Sequence, residues 1–409
     1  MSIREGKGRI RNLGVAAALL LGAASAAAAQ DQQVGARTKA MGGSYTAFED
    51  DPVSIWLNPG GIATQTDGGT IDYQTYTLYD LKTSPSGGAP TSRSQLGWSD
   101  PAFLPSYLGA IFQLGSSESP QALGICFATP FRLRLAYLPY DFTTGASGTT
   151  PGLTVDQSFY RIRAAYARDF RFKPEGLFTH LAIGIGGDVN ITDWTFTEFK
   201  VINGGTDTAT LTFTDRNVGF GGGAGLLLGV YDNRSDFKVN FGAAYQSKAS
   251  YSFSIDAVDV PLFDWPNQFQ GGLTFYLLDG LPLRLTADAQ VIQWSSAVRH
   301  SLLSGVSSFR NVTNYSAGAE YAIPASERVK LYPRAGVRYF NAPWSDQNDL
   351  PAVGLQRLAI TTKSGSFVIG SFGLGVGWAN DAGKSRMFDL GVDFGGDQPG
   401  FALAFTMEF

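Results

Sequence analysis

The last ten residues, Gly400-Phe-Ala-Leu-Ala-Phe-Thr-Met-Glu-Phe409, put a large apolar side chain at every odd position and a small or polar one at every even position. A period of two places all five large side chains on one face of a strand. Phe388, Leu390, Val392 and Phe394 repeat the pattern, and so do Phe237, Val239, Phe241, Ala243 and Tyr245. Chains built from such segments have two outlets: a soluble β-sandwich with one wet face, or a membrane barrel with a polar lumen. A helical membrane protein is excluded, because no apolar run of about 18 residues occurs after the first thirty. Composition points the same way. Fifty Gly, 29 Phe and 17 Tyr suit strands and tight turns, and 16% charged residues is low against the roughly 25% usual for soluble domains.

Loop lengths separate the two outlets. Strands read near 71–79, 106–114, 121–139, 158–171, 179–199, 208–230, 236–256, 267–278, 283–299, 310–322, 329–341, 365–379, 386–395 and 400–409. The even-numbered connections are short, as at 115–120, 231–236, 279–282 and 380–385, whereas 80–105, 140–157 and 342–364 are long. Short turns on one rim and long loops on the other are the asymmetry of outer-membrane barrels. The fold class read from the sequence is therefore all-β, a transmembrane antiparallel β-barrel of about 14 strands. Residues 1–29 read as a signal peptide: Arg4, Lys7, Arg9 and Arg11, then the apolar core Leu13–Leu21, then Ala26–Ala29 before the cleavage point. Residues 30–68 precede the barrel, which takes up 69–409. The terminal Phe409 fits the signal read by the barrel assembly machinery.

Other chemistries find little support. A single cysteine, Cys126, excludes a disulfide framework and multi-cysteine metal sites. A net charge of −4 leaves no footprint for nucleic acid. His180 and His300, the only histidines, fall on separate segments without an obvious Ser–His–acid grouping. Neither catalytic residues, nor a metal, nor a cofactor is expected. The run Gly219-Phe-Gly-Gly-Gly-Ala224 is flanked by strands with no following helix, so it reads as close-packed barrel backbone rather than a dinucleotide loop.

Residues 30–68 show no alternation. They carry Gly35-Ala36-Arg37, Met41-Gly42-Gly43, Asp50-Asp51 and Asn58-Pro59-Gly60-Gly61. In these motifs the chain resembles the FadL/TodX-type outer-membrane transporters of long-chain fatty acids and other hydrophobic compounds. That family has an N-terminal "hatch" of the form G-A-R-x-x-x-M-G-G, then an acidic pair, then N-P-A-G. Here Gly60 replaces the alanine. Trp265-Pro266-Asn267 with Gly271-Gly272, Asp288 with Trp294-Ser295, and Gly318-Ala319-Glu320-Tyr321 extend the resemblance downstream. So do Asn341-Ala342-Pro343 and Pro351. The physical argument for a plug is independent of the name: a barrel of about 14 strands is too wide for its own side chains to fill.

The resemblance implies a passive transporter in the outer membrane of a Gram-negative-type bacterium, with hydrophobic small molecules and outer-membrane lipids as partners. An accessory barrel that holds or shuttles a secreted protein is the alternative, because related families share the hatch. Within the strand at 121–139, Thr129-Pro130-Phe131 interrupts the alternation. Proline removes a ladder donor. In the resembled family an inward kink at this strand opens a lateral window, while the plain reading is a simple bend. Phe103, Leu104, Tyr107 and Trp344 are candidates for first contact with ligand among the external loops. Glu49, Asp50 and Asp51 form an acidic cluster that needs cations if buried. Arg161, Arg163, Arg334 and Arg338, at inward positions, are the expected latch partners. The simpler role for Asp50 and Asp51 is to cap the turn before Pro52.

Overall fold

The computed structural model describes residues 33–48, 50–74, 81–85, 105–137, 153–202, 207–251, 253–255, 258–260, 264–277, 282–297, 310–341, 358–362, 365–395 and 399–409. The signal-peptide reading, Phe103, Leu104, Trp344 and Glu49 lie outside these residues.

Fourteen strands form one antiparallel sheet that closes on itself. They are β1 (Gly68–Gln74), β2 (Tyr107–Gln113), β3 (Gln121–Tyr137), β4 (Leu153–Arg171), β5 (Gly176–Ile202), β6 (Asp207–Asp232) and β7 (Phe237–Gln246). They continue as β8 (Gln268–Leu277), β9 (Leu283–Ile292), β10 (Val312–Tyr321), β11 (Val329–Asn341), β12 (Ser366–Ala379), β13 (Ser385–Phe394) and β14 (Gly400–Glu408). Each strand pairs with its neighbours in sequence, and β14 returns to β1 with Gly68 opposite Glu408 and Gln74 opposite Ala402. Closure leaves no sheet edge, the condition for strands to survive in lipid.

Period two decides which way each strand faces. On β14, Phe401 and Leu403 are exposed while Ala402 and Ala404 are buried. On β13, Phe388, Leu390 and Phe394 point out, and Asp389 and Asp393 are buried. An apolar outside and a charged inside is the arrangement of a lipid-embedded barrel.

The expected strands all form, with shifted ends. The seventh was expected to run over 236–256 but ends at Gln246. There the Ser247 hydroxyl accepts from Gly222 N–H, and the chain leaves the wall to make a small ladder of Phe253–Ile255 with Val258–Val260. The ninth stops at Ile292 and turns into a short 3-10 helix, Trp294–Ser296. β5 and β6 are far longer than a membrane requires. The 27 residues of β5 at about 3.3 Å each and a tilt near 40° reach roughly 65 Å along the normal, against a hydrocarbon core of about 30 Å.

Within the sheet lies the segment 33–65. It forms a short helix α1 (Ala36–Ala40), another, α2 (Ser54–Leu57), and a 3-10 turn, Pro59–Thr64. Helix α1 packs on β12, β13 and β14, and the 3-10 turn packs on β3 to β6. Because those strands lie on different sides of the ring, the segment crosses the lumen.

The topology predicts labelling. In a Cys126→Ala background, cysteine at Ser117 or Ala382, both on short turns, should react with an impermeant maleimide only after the outer membrane is opened. Cysteine at Ser86, in a long connection, should react in intact cells. Reaction at Ser117 from outside would invert the barrel.

Candidate functional site

The candidate site is the contact between segment 33–65 and the inner wall. Its first half is held by charge. Arg37 donates through Nε and Nη2 to Glu320 of β10 at 2.9 and 2.8 Å, and through Nη1 to Asp50 at 3.0 Å. Arg284 of β9 pairs with Asp50 and lies 3.1 Å from Glu320. Arg334 of β11 bonds Glu320 at 2.6 Å and Asp389 of β13 at 2.5 Å. Three guanidiniums thus meet three carboxylates in a cluster without net charge, buried at Arg37, Glu320, Arg334 and Asp389 and open to solvent at Asp50 and Arg284. A lone member would be costly to bury there, while the matched set is tolerated. The planar fork of Arg suits this, since one guanidinium can bridge two carboxylates. Lys39 makes a separate buried pair with Asp393 at 3.0 Å.

The acidic pair divides its labour in a way the sequence reading left open. Asp50 is the ion-pair partner, but of Arg37 and Arg284 rather than of the four arginines expected. Asp51 accepts from Val53 N–H at 2.9 Å and so caps the turn into α2. Of the expected four, Arg334 acts at one remove, through Glu320. Arg163 donates to Asp188 through Nε and Nη2, and its Nη1 donates to the Trp56 carbonyl at 2.9 Å and the Ile55 carbonyl at 3.3 Å. Arg161 sits between the rings of Trp56 and Trp265, 4.8 and 5.0 Å from their centroids. Arg338 is buried on β11. Tyr107 is a correction of place: it lies on β2 facing inward, fully buried, and its hydroxyl donates to the Pro52 carbonyl at 2.6 Å.

The second half is held by backbone groups. Asp288 of β9 accepts from the N–H groups of Tyr45 and Thr46 and from the Thr46 hydroxyl. Asp72 of β1 accepts from Ala36 N–H at 2.7 Å. Asn58 accepts from Gly60 N–H, and its amide donates to the Thr46 and Leu226 carbonyls. Two glycines are required by geometry. Gly42 has φ +67°, and a side chain there would meet the Val337 backbone at 2.7 Å. A Cβ on Gly60 would come within 2.9 Å of the Gly225 carbonyl and the Leu226 Cα. Gly184 of β5 and Gly225 of β6 give the floor without side chains against which Asn58-Pro59-Gly60 lies, whereas Gly219, Gly221 and Gly223 face Tyr251, Ser247 and Arg163. Met41 packs with Tyr45 and Phe48, whose rings stack 4.4 Å apart.

On β3 the register slips by one residue: Ala128 faces Arg161, yet Phe131 faces Phe159. The buried Pro130 sits in this bulge, one of the places where a strand tolerates proline. The reading from sequence also weighed only charges on the wall. It passed over the inward amides Gln246, Gln268, Gln270, Gln290 and Asn314, although their alternation with apolar neighbours was visible.

No family profile and no curated protein matches the chain. Solved structures do match in fold. A Pseudomonas aeruginosa FadL homologue superposes with a TM-score of 0.59 at 14% identity, covering 92% of this chain and 98% of that one. The Ralstonia pickettii toluene transporter TbuX gives 0.54 at 16%, covering 93% and 99%. The Pseudomonas putida toluene transporter TodX gives 0.54 at 15%, covering 93% and 99%. The chain therefore has the fold of these three proteins along nearly its whole length.

Gly60→Ala restores the motif's alanine but should loosen the turn by about 1–3 kcal/mol, the usual cost of overpacking, and raise single-channel leak in planar bilayers. A silent Gly60→Ala would mean that the turn has room. Burial pushes the Asp51 carboxyl up to about 6, against the opposing pull of Arg37 and the Val53 N–H. A docked value above the ordinary 3.8 means that the docked plug binds more protons. Docking should therefore strengthen as pH falls through 6 and level off below about 4, with leak decreasing in step. Asp51→Asn should weaken that dependence; a pH response unchanged by it would assign the titration elsewhere.

Proposed function

We propose that this protein takes up hydrophobic compounds, long-chain fatty acids among them, passively across the outer membrane, with segment 33–65 as the gate. The observation carrying this reading is the plug itself. It spans a lumen lined by charges, and an apolar solute gains nothing by entering such a lumen in bulk. The plug is tied down by many separate contacts, several of them single hydrogen bonds to backbone carbonyls. Such a seal yields locally without unfolding the barrel. The fold shared with proteins described as a FadL homologue and toluene transporters supports the same reading.

On this reading ligand first meets apolar side chains of the external loops, Phe103, Leu104 and Trp344 among them. It then reaches the outer surface of the plug near Trp56 and Leu57. Tyr107 acts later, as a prop that holds Pro52 against the wall. The exit is lateral, at the Pro130 bulge, where the β2–β3 pairing runs from Gln113–Ala122 to Tyr107–Ala128 and Thr129 N–H closes on the Ser106 carbonyl. A lipophile leaving there passes into lipid without crossing water. No nucleotide or metal enters the cycle.

Mass spectrometry of compounds extracted from gently purified protein tests the ligand class: acyl chains or other lipophiles support uptake, and a co-purifying secreted polypeptide supports the accessory-barrel alternative. Pro130→Ala should restore a ladder donor and lower uptake of labelled oleate severalfold, with heat-modifiable barrel at parental levels. Undiminished uptake would remove the bulge from the path.

A further inference from the structure

One group of inward side chains is used only in part by the plug contacts. Gln246 at the end of β7 stands opposite Gln268 on β8, and Gln270 on β8 stands opposite Gln290 on β9. Even-numbered positions on these strands face inward, so the register delivers four carboxamides to one level of the wall. With Trp56, Leu57 and Arg163 they line a small cleft that is open to solvent on one side.

The hydrogen bonds already made there leave both donors and acceptors over. Gln270 donates to the Leu57 carbonyl. Gln290 donates to Gln268 at 3.2 Å, and Asn314 donates to Gln290 at 3.5 Å. Gln246 and the Gln270 carbonyl oxygen have no protein partner among the described residues. The cation at the cleft, Arg163, is committed to Asp188 and to two plug carbonyls. Arg161 is 2% exposed behind the Trp56 ring and does not line the space. A group that both donates and accepts would satisfy this lining. A carboxylate only accepts, and it would lie against the carboxamide oxygens.

We propose that this cleft recognises the polar end of an uncharged hydrophobic ligand, an alcohol, phenol or amide, whose ring or chain rests on Trp56 and Leu57. The inference rests on the uptake reading and, among the lipophiles taken up, gives this cleft a preference for neutral, oxygen- or nitrogen-bearing heads. The carboxamides select the head while the plug residues bind the tail. Loss of the Gln270–Leu57 contact on binding would couple occupancy to the plug.

Equilibrium dialysis of the full-length protein in amphipol, against benzyl alcohol, toluene and benzoate at pH 8, tests this with one ring and three heads. Benzyl alcohol should bind about fivefold tighter than toluene, the ratio for one neutral hydrogen bond of about 1 kcal/mol, and tighter than benzoate. Gln246→Leu with Gln290→Leu should erase the difference between benzyl alcohol and toluene while toluene still binds. Heat-modifiable mobility reports that the double variant is folded, and Gln246→Leu alone gives the same readout in smaller measure. Equal binding of benzyl alcohol and toluene to the parent would overturn the proposal and leave uptake standing. Tightest binding of benzoate would also overturn it and give the site to Arg163. Binding of none of the three would overturn the proposal and leave the uptake reading to be decided by the compounds extracted from purified protein.

Discussion

A closed ring of fourteen strands encloses more space than its own side chains can fill, and most of the inner architecture answers that constraint. The outer face is settled by lipid and needs only apolar residues at alternate positions. The inner face must end either in water or in a second piece of chain. Here it ends in residues 33–65, and every polar group they bring into the ring needs a partner from the wall.

Those partners come in two kinds. On the side of α1, full charges are matched three against three around Arg37, with Lys39–Asp393 as a further pair. Such a set gives little net stability, because desolvation offsets attraction, but it punishes any misplacement heavily. It fixes where the plug sits. On the side of α2 and the 3-10 turn, barrel donors reach single carbonyls: Tyr107 to Pro52, Arg163 to Trp56 and Gln270 to Leu57. Each is an ordinary hydrogen bond that water or a ligand can replace. One end of the plug is therefore specified by position and the other is open to exchange.

Much of this was legible in the sequence. Period-two alternation was plain in the strands around Tyr245, Phe394 and Phe409, where lipid on one side and the lumen on the other leave no ambiguity of face, and loop lengths supplied the rest of the count. Strand ends were less legible, as at Gln246, where a serine hydroxyl and not a turn residue stops the ladder. Local motifs were readable too, since Asn58 and Asp51 bond within two residues of themselves. The long-range partner of Asp50 was not. Arg284 and Arg334 are both inward arginines of similar setting, and the choice depends on which strand the plug lies against, a property of register and not of composition. The amides escaped notice for a simpler reason: a search for charges does not see neutral groups, though they are what remains to be satisfied once the charges have paired.

The ties of α1 also bear on the order of events during assembly. Lys39 meets Asp393 across 354 residues of chain, and Ala36 meets Asp72 on the first strand. Helix α1 therefore lies across the seam where the earliest and latest strands join. Contacts so remote in sequence form late, once loop closure has already been spent on bringing the ends together. The plug cannot reach its final position before the last strand is in place. An unfinished barrel would thus remain unsealed, and docking of α1 is the step that marks a finished one.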